Sequence, residues 1–262
     1  MVLPRWFFEI YLNLIHKNHW SMMPAIRVCL WSSPRNVSTA FMYSWAQRPD
    51  TVVVDEPFYG YYLSNSTIEH PGRDEIIASM ECDASKIISQ VILGEHPRPV
   101  VFFKHMCHHV PDLDLSFMEG LVNLFFIRHP GRIISSYAEV IKKPTLTDIG
   151  VKIQAMQFEH ALEKGYNTIV LDSAELLKNP ESVLRQLCGR LGIGFCEEML
   201  QWPAGPRPED GVWARHWYAQ VHRSTGFQKP PDSDKSLPDA LMPLYQEAMG
   251  YYEAMKPFTI KA

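Results

Sequence analysis

Short runs of β-branched and aromatic residues alternate along this chain with stretches of helical character, and that alternation constrains the fold more than any single residue does. Residues 26–31 (IRVCLW) read as a buried strand, followed by the polar turn 32–37 and a helix from about Ser38 to Ala46. Residues 51–54, 100–103, 121–127 and 168–171 read as four further strands. Pro130 suits the first position of the helix after the fourth, where its missing N–H has no partner to lose. Alternation of this kind predicts a single three-layer α/β domain, a central parallel sheet flanked by helices. Neither an internal repeat nor a low-complexity linker divides the 262 residues, a length that fits one medium domain.

Charge narrows the partners. With 25 Lys+Arg against 29 Asp+Glu the net charge is −4, which excludes bulk nucleic-acid or anionic-membrane binding, since both need a basic excess. A phosphate-handling protein of this composition must use a few placed cations. The five cysteines lie scattered without CxxC spacing, so the sequence predicts neither a disulfide framework nor a zinc site, and a reducing, cytoplasmic setting is expected. Residues 6–15 (WFFEIYLNLI) are too short to span a bilayer. Trp6, Phe7, Ile10, Tyr11 and Leu14 fall on one helical face, so 1–24 read as an extension carrying an amphipathic docking helix. Residues 228–262 read as a C-terminal tail. The prolines of 203–208 and 230–238 predict long ordered loops near the sheet's carboxyl edge, where such folds bind ligands.

Two motifs carry the chemistry. Ser32, Ser33, Pro34, Arg35, Asn36, Val37, Ser38 and Thr39 lie between a buried strand and a helix, so backbone N–H groups and a helix N-terminus converge on one point that favours an anion. Ser38 and Thr39 add hydroxyl donors and Arg35 a forked cation. The loop lacks both glycines and the lysine of GxxxxGK[ST], which weakens a kinase or nucleoside-triphosphate hydrolase. The second motif follows the fourth strand. Arg128 stands at its end, where a bare charge is costly unless it meets an anion or carboxylate, and Ser136 lies two turns into the next helix. Together they are suited to grip one phosphate.

These two segments resemble the sulfotransferase family, compact soluble type, with its P-loop-like fold. Residues 32–39 are similar to the family's 5′-phosphosulfate loop, T-x-P-[KR]-[SG]-G-[ST]-T, with Val37 in place of its usual glycine. Arg128 through Ser136, with Tyr137 following, resembles the 3′-phosphate motif R-[DHN]-P-x(5)-S. Residues 169–193 resemble scaffold features of the family, and Arg223, Ser224, Thr225 and Gly226 its nucleotide-closing loop, so the likeness spans roughly 26–227. The resemblance implies 3′-phosphoadenosine 5′-phosphosulfate as sulfuryl donor, the 3′,5′-bisphosphate as product, direct in-line transfer and no required metal. It implies nucleotide contacts from Ser33, Pro34, Arg35, Asn36, Val37, Ser38, Thr39, Arg128, Ser136 and Arg223.

Arg35 and the loop N–H groups are then expected to stabilise the leaving 5′-phosphate, and Lys104, at the end of the third strand, to reach the bridging oxygen. For the base that deprotonates the acceptor, Glu56 is the first candidate. A carboxylate at a strand's carboxyl end beside Phe58, Tyr59, Tyr61 and Tyr62 would be partly desolvated and its pKa raised. His108 is the second, with His105 and His109 beside it, because Met106 occupies the position where many family members carry a histidine. Trp213, Trp217 and Phe227 are the candidates for stacking on adenine. The expected acceptor is a hydroxyl, or an amine, of a small metabolite, in keeping with a tailoring role in secondary metabolism. A kinase using ATP and a non-catalytic nucleotide-binding protein of the same fold are the rivals, and a homodimer is left open.

Overall fold

The computed structural model describes residues 25–110, 112–139, 143–228 and 237–262. The expected docking helix at 6–15 and the prolines at 230 and 231 lie outside these. Six strands form one sheet: β1 (Ile26–Ser32), β2 (Thr51–Asp55), β3 (Val100–Met106), β4 (Val122–Ile127), β5 (Thr168–Asp172) and β6 (Thr259–Ile260). Their order is β2-β3-β1-β4-β5-β6, and every neighbouring pair is parallel.

Residues alternate in facing along each strand, and both faces are covered. From β1, Val28 and Leu30 enter one core with Phe41, Phe102 and Phe126. Cys29 and Trp31 enter the opposite core with Val101, Phe103, Phe125 and Val170. Burial on both sides is why these strands read as continuous apolar runs. The helices that close the layers include α1 (Ser38–Ala46), α2 (Tyr59–Ser64), α3 (Pro130–Ala138), α4 (Val151–Glu163), α5 (Pro180–Leu191) and α6 (Met242–Met255).

Two departures from expectation matter. The third strand runs three residues past Phe103, so Lys104 and His105 sit inside the sheet, and Lys104 is wholly buried. The stretch read as a tail contributes α6, packed against α3 and α4, and then β6, whose Thr259 and Ile260 pair with Val170 and Leu171. A two-residue strand is too short to show a period, and only the neighbouring β5 edge defines it.

The chain enters the sheet at β1 in its middle, moves outward to β2, returns to β3, and then crosses β1 to β4. Direction reverses at the carboxyl ends of β1 and β4, the place where open α/β sheets take their ligands. Those ends are stitched together. Gln154 on α4 donates through Nε2 to the Trp31 and Phe126 carbonyls at 2.8 and 2.9 Å, and Asn36 Nδ2 donates to Phe126 O at 2.8 Å. α4 starts against the same place, because Gly150 (φ +68) holds its Cα so near the loop that a Cβ would stand 3.1 Å from Pro34 Cδ.

Candidate functional site

A cavity of about 1880 Å³ opens over this reversal and takes in both motifs. Its wall includes Pro34 to Thr39, Glu56, Lys104, His108, Arg128 and Ser136, segments far apart in sequence. Ser33 and Arg223 are placed otherwise. Ser33 is buried behind the lining with its Oγ unpartnered, and Arg223 is exposed on the short turn Val221–Arg223, outside the lining.

On one side the two phosphate motifs touch. Arg35 Nε donates to Ser136 Oγ at 2.9 Å across 101 positions of sequence, and the Arg128 guanidinium donates to the Arg35 carbonyl. Asn36 accepts from the Val37 N–H at 2.9 Å, which braces the turn. The N-terminus of α1 carries no side-chain cap and no acidic residue in its first turn, so its N–H groups have no competing carboxylate there. Burial, with the nearby Arg132 and Arg35 charges, lowers the Arg128 pKa to about 10. Like charges gathered around a half-buried guanidinium are a cost that an anion would relieve.

Across the cavity the arrangement is the reverse. Lys104 Nζ donates to Asp55 Oδ1 at 2.9 Å, to Glu56 Oε1 at 2.5 Å and to the Tyr218 hydroxyl at 2.8 Å, so its three N–H bonds are all engaged. Tyr218 in turn donates to Asp55 Oδ2 at 2.7 Å and accepts from Trp213 Nε1 at 3.1 Å. Burial opposes the Lys104 charge, but Asp55 and Glu56 outweigh it and raise the ammonium pKa above its ordinary value. Burial raises the Glu56 pKa against the pull of Lys104, and the Asp55 carboxylate beside it pushes the same way as burial. Lys104 was expected at a strand end reaching a bridging oxygen; here it is held inside the strand by two carboxylates.

Arg35 (φ +57) and Glu56 (φ +44) are the two non-glycine residues with positive φ among those described. Conformations of this kind cost energy and persist where surrounding structure enforces them, commonly at functional sites. For Glu56 the enforcement is visible, since its N–H donates to Lys104 O at 2.8 Å, extending the β2–β3 pairing one residue before the chain turns.

The three histidines separate. His105 is buried between Trp31 and Phe58, with ring centroids 4.5 and 5.5 Å away, and neither ring nitrogen has a partner. Burial and the Lys104 charge push its pKa down to about 3. His108 lines the cavity with Nδ1 unpartnered, and burial pushes its pKa down to about 4. His109 stacks against Tyr59 and Tyr62 and brings Nδ1 to 3.8 Å from Glu56 Oε2. Of the aromatic candidates for stacking on adenine, Trp213 is 3% exposed and packs behind Tyr59 and Tyr218, whereas Trp217 and Phe227 reach the cavity. Tyr59 and Tyr62 also line it, and Tyr61 packs on Phe58 instead.

Sequence reasoning missed Asp55 and Tyr218. The Asp55–Glu56 doublet was visible, but the register that sets Asp55 opposite Lys104 was not, and nothing local marks Tyr218.

Comparison with known proteins identifies the fold and the family. Branched-chain-amino-acid aminotransferase-like protein 1 of Arabidopsis thaliana is 37% identical over 227 residues, 86% of this chain and 41% of that protein. The chain thus spans about two fifths of the length of that curated relative. Among solved structures, the sulfotransferase domain from the curacin biosynthetic pathway is similar with a TM-score of 0.54 at 16% identity, covering 89% of this chain and 99% of that one. A sulfotransferase from Alicyclobacillus acidocaldarius gives 0.53 at 13%, covering 91% and 98%. At such identities these likenesses establish the shared fold. A family model described as a sulfotransferase domain matches residues 26–259, which takes in both phosphate motifs, Glu56, Lys104 and the sixth strand's first residue. This chain therefore belongs to the sulfotransferase domain family.

Proposed function

We propose that this sulfotransferase takes its sulfuryl group from 3′-phosphoadenosine 5′-phosphosulfate and passes it to a hydroxyl of a small molecule, without a required metal. One observation carries the donor assignment. Arg35 of the first motif and Ser136 of the second meet at 2.9 Å, so the two anion grips form one continuous surface beneath the uncapped start of α1. A nucleotide with phosphates at both ends of its ribose matches two adjacent grips, and the crowding of Arg35, Arg128 and Arg132 suits its negative charge.

In this reading Arg128 and Ser136 hold the 3′-phosphate. Arg35, the loop N–H groups and the start of α1 offset the charge that develops on the 5′-phosphate as it leaves. Glu56 accepts the acceptor's proton, its burial having raised its basicity towards the working range. Lys104 orients the Glu56 carboxylate, and proton uptake by Glu56 loosens their 2.5 Å bond, which frees one ammonium N–H for the developing charge. Alignment and charge neutralisation supply most of what such a transfer requires. His108, held neutral, offers a ring nitrogen at the same cavity and is the second choice of base.

Calorimetry separates the donor from its rival. The chain should bind adenosine 3′,5′-bisphosphate without Mg²⁺ and bind ATP with Mg²⁺ more weakly. Mg²⁺-dependent ATP binding with no affinity for the bisphosphate would replace this reading with a kinase. Binding of the bisphosphate with no sulfated product from any acceptor would favour a non-catalytic nucleotide-binding protein.

A further inference from the structure

One face of α4 forms a second arm of the cavity that the donor reading does not use. Ile153, Met156, Gln157 and His160 recur at helical spacing and all line the cavity, as do Met106 and Leu115 on the facing segment. The face sets apolar Ile153 and Met156 beside polar Gln157 and His160, with Lys152 also on the lining, and it carries a buried polar atom with nothing to bond. Gln157 is 2% exposed, its Nε2 donates to the Cys107 carbonyl at 2.9 Å, and its Oε1 has no partner. Its orientation is forced, because the flipped amide would set Oε1 against the Cys107 oxygen. The orphan is therefore an acceptor and can be satisfied only by a donor. His160 Nε2, further along the same face, is likewise buried and unpartnered.

α4 also gives the scale. A Cβ on Gly150, where the helix begins, would stand 3.1 Å from Pro34 Cδ and 3.8 Å from His108 Nδ1, at the point where the loop and His108 meet. At 1.5 Å per residue, Ile153, Gln157 and His160 lie about 4.5, about 10 and about 15 Å from there along the axis. The arm thus begins beside the loop and His108, passes Ile153 and Met156, and meets an unmet hydrogen-bond acceptor about 10 Å on.

We propose that this arm binds the acceptor, and that the acceptor is an elongated amphiphilic alcohol carrying a second hydrogen-bond donor that bonds to Gln157 Oε1. The proposal rests on the sulfotransfer reading for the word acceptor, and its test does not. Octanol and octane-α,ω-diol have the same apolar chain and differ only in the far hydroxyl. Calorimetry with the whole chain should show the diol binding about tenfold more tightly than octanol, the worth of one buried neutral hydrogen bond. Gln157→Leu should bring the two alcohols to the same affinity while leaving that for adenosine 3′,5′-bisphosphate unchanged, which also reports that the variant is folded. Met156 is 57% exposed, so Met156→Glu leaves folding intact and should weaken both alcohols alike. Equal binding of the two alcohols by the wild type, a preference that survives Gln157→Leu, or indifference to Met156→Glu would each overturn the proposal. Transfer from labelled donor to the same alcohols is scored separately: a Gln157-dependent preference without sulfated product keeps the binding arm and rejects the transfer reading.

Discussion

Two basic centres face each other across one cavity, and they are built on opposite principles. Around Arg35 and Arg128 positive charge is gathered beside an uncapped helix start, and the Arg128 pKa is lowered by burial and by its cationic neighbours. Lys104 itself is fully paired, with two carboxylates and a tyrosine hydroxyl on one ammonium. The first arrangement holds like charges close together, a cost that an anion would relieve. The second is complete as protein, so its chemistry must come from disturbing a bond that already exists. A cation near a substrate can thus bind, or it can hold another residue in place, and its own hydrogen bonds distinguish the two.

The largest expected effect lies on the paired side. Glu56→Gln keeps the shape and removes the base, so turnover should fall by about 10²–10⁴-fold with bisphosphate affinity unchanged, read from single-turnover rates beside calorimetry. A variant that turns over normally would return the role to His108. Lys104→Met tests whether that centre is structural. Removing the ammonium leaves Asp55 and Glu56 buried together, and denaturant unfolding should register a loss of about 3–5 kcal/mol.

The other side should respond in the opposite sense. Arg128→Ala should cost about 10–100-fold in affinity for adenosine 3′,5′-bisphosphate, the worth of charged hydrogen bonds, and should spare adenosine 5′-phosphate. Unfolding stability should change little, since losing the bond to the Arg35 carbonyl is offset by relief of crowded positive charge. Equal loss for both nucleotides would detach Arg128 from the 3′-phosphate. Arg223→Ala, on an exposed turn outside the cavity lining, should change bisphosphate affinity less than Arg128→Ala does.

The histidines behind the paired centre predict a pH limb. His105 and His108 are held neutral in the fold, with pKa values depressed to about 3 and about 4 from an ordinary value of 6.5. The unfolded chain takes up these protons first, so their contribution to stability is fully present above about pH 6.5 and drains as pH falls through the folded values. His105→Phe, in its aromatic slot with no hydrogen bond to lose, should leave stability at pH 7 nearly unchanged and make the acid decline shallower in thermal melts. An unaltered acid limb would assign the decline to other groups.

Local order was legible where chemistry is local. The five longer strands, the helix after the loop and the proline that starts α3 follow from apolar runs and turn residues. Glu56 was legible as a carboxylate at a strand end. Its partners were not: Asp55 meets Lys104 through inter-strand register, and Tyr218 arrives from 163 positions away. Nothing in a helical pattern announces that Gln157 keeps one bond and lacks another, because its Nε2 partner belongs to a different segment.

The sequence by itself determined that this chain is a parallel α/β domain, and it marked the two strand-to-helix motifs, since periodicity, caps and motif spacing are properties of consecutive residues. Only the tertiary structure decided that Lys104 is held by two carboxylates instead of reaching outward. It also decided where a buried acceptor waits for a donor. Charges and hydrogen bonds are settled by what lies within about 3 Å, and folding, not sequence order, chooses those neighbours.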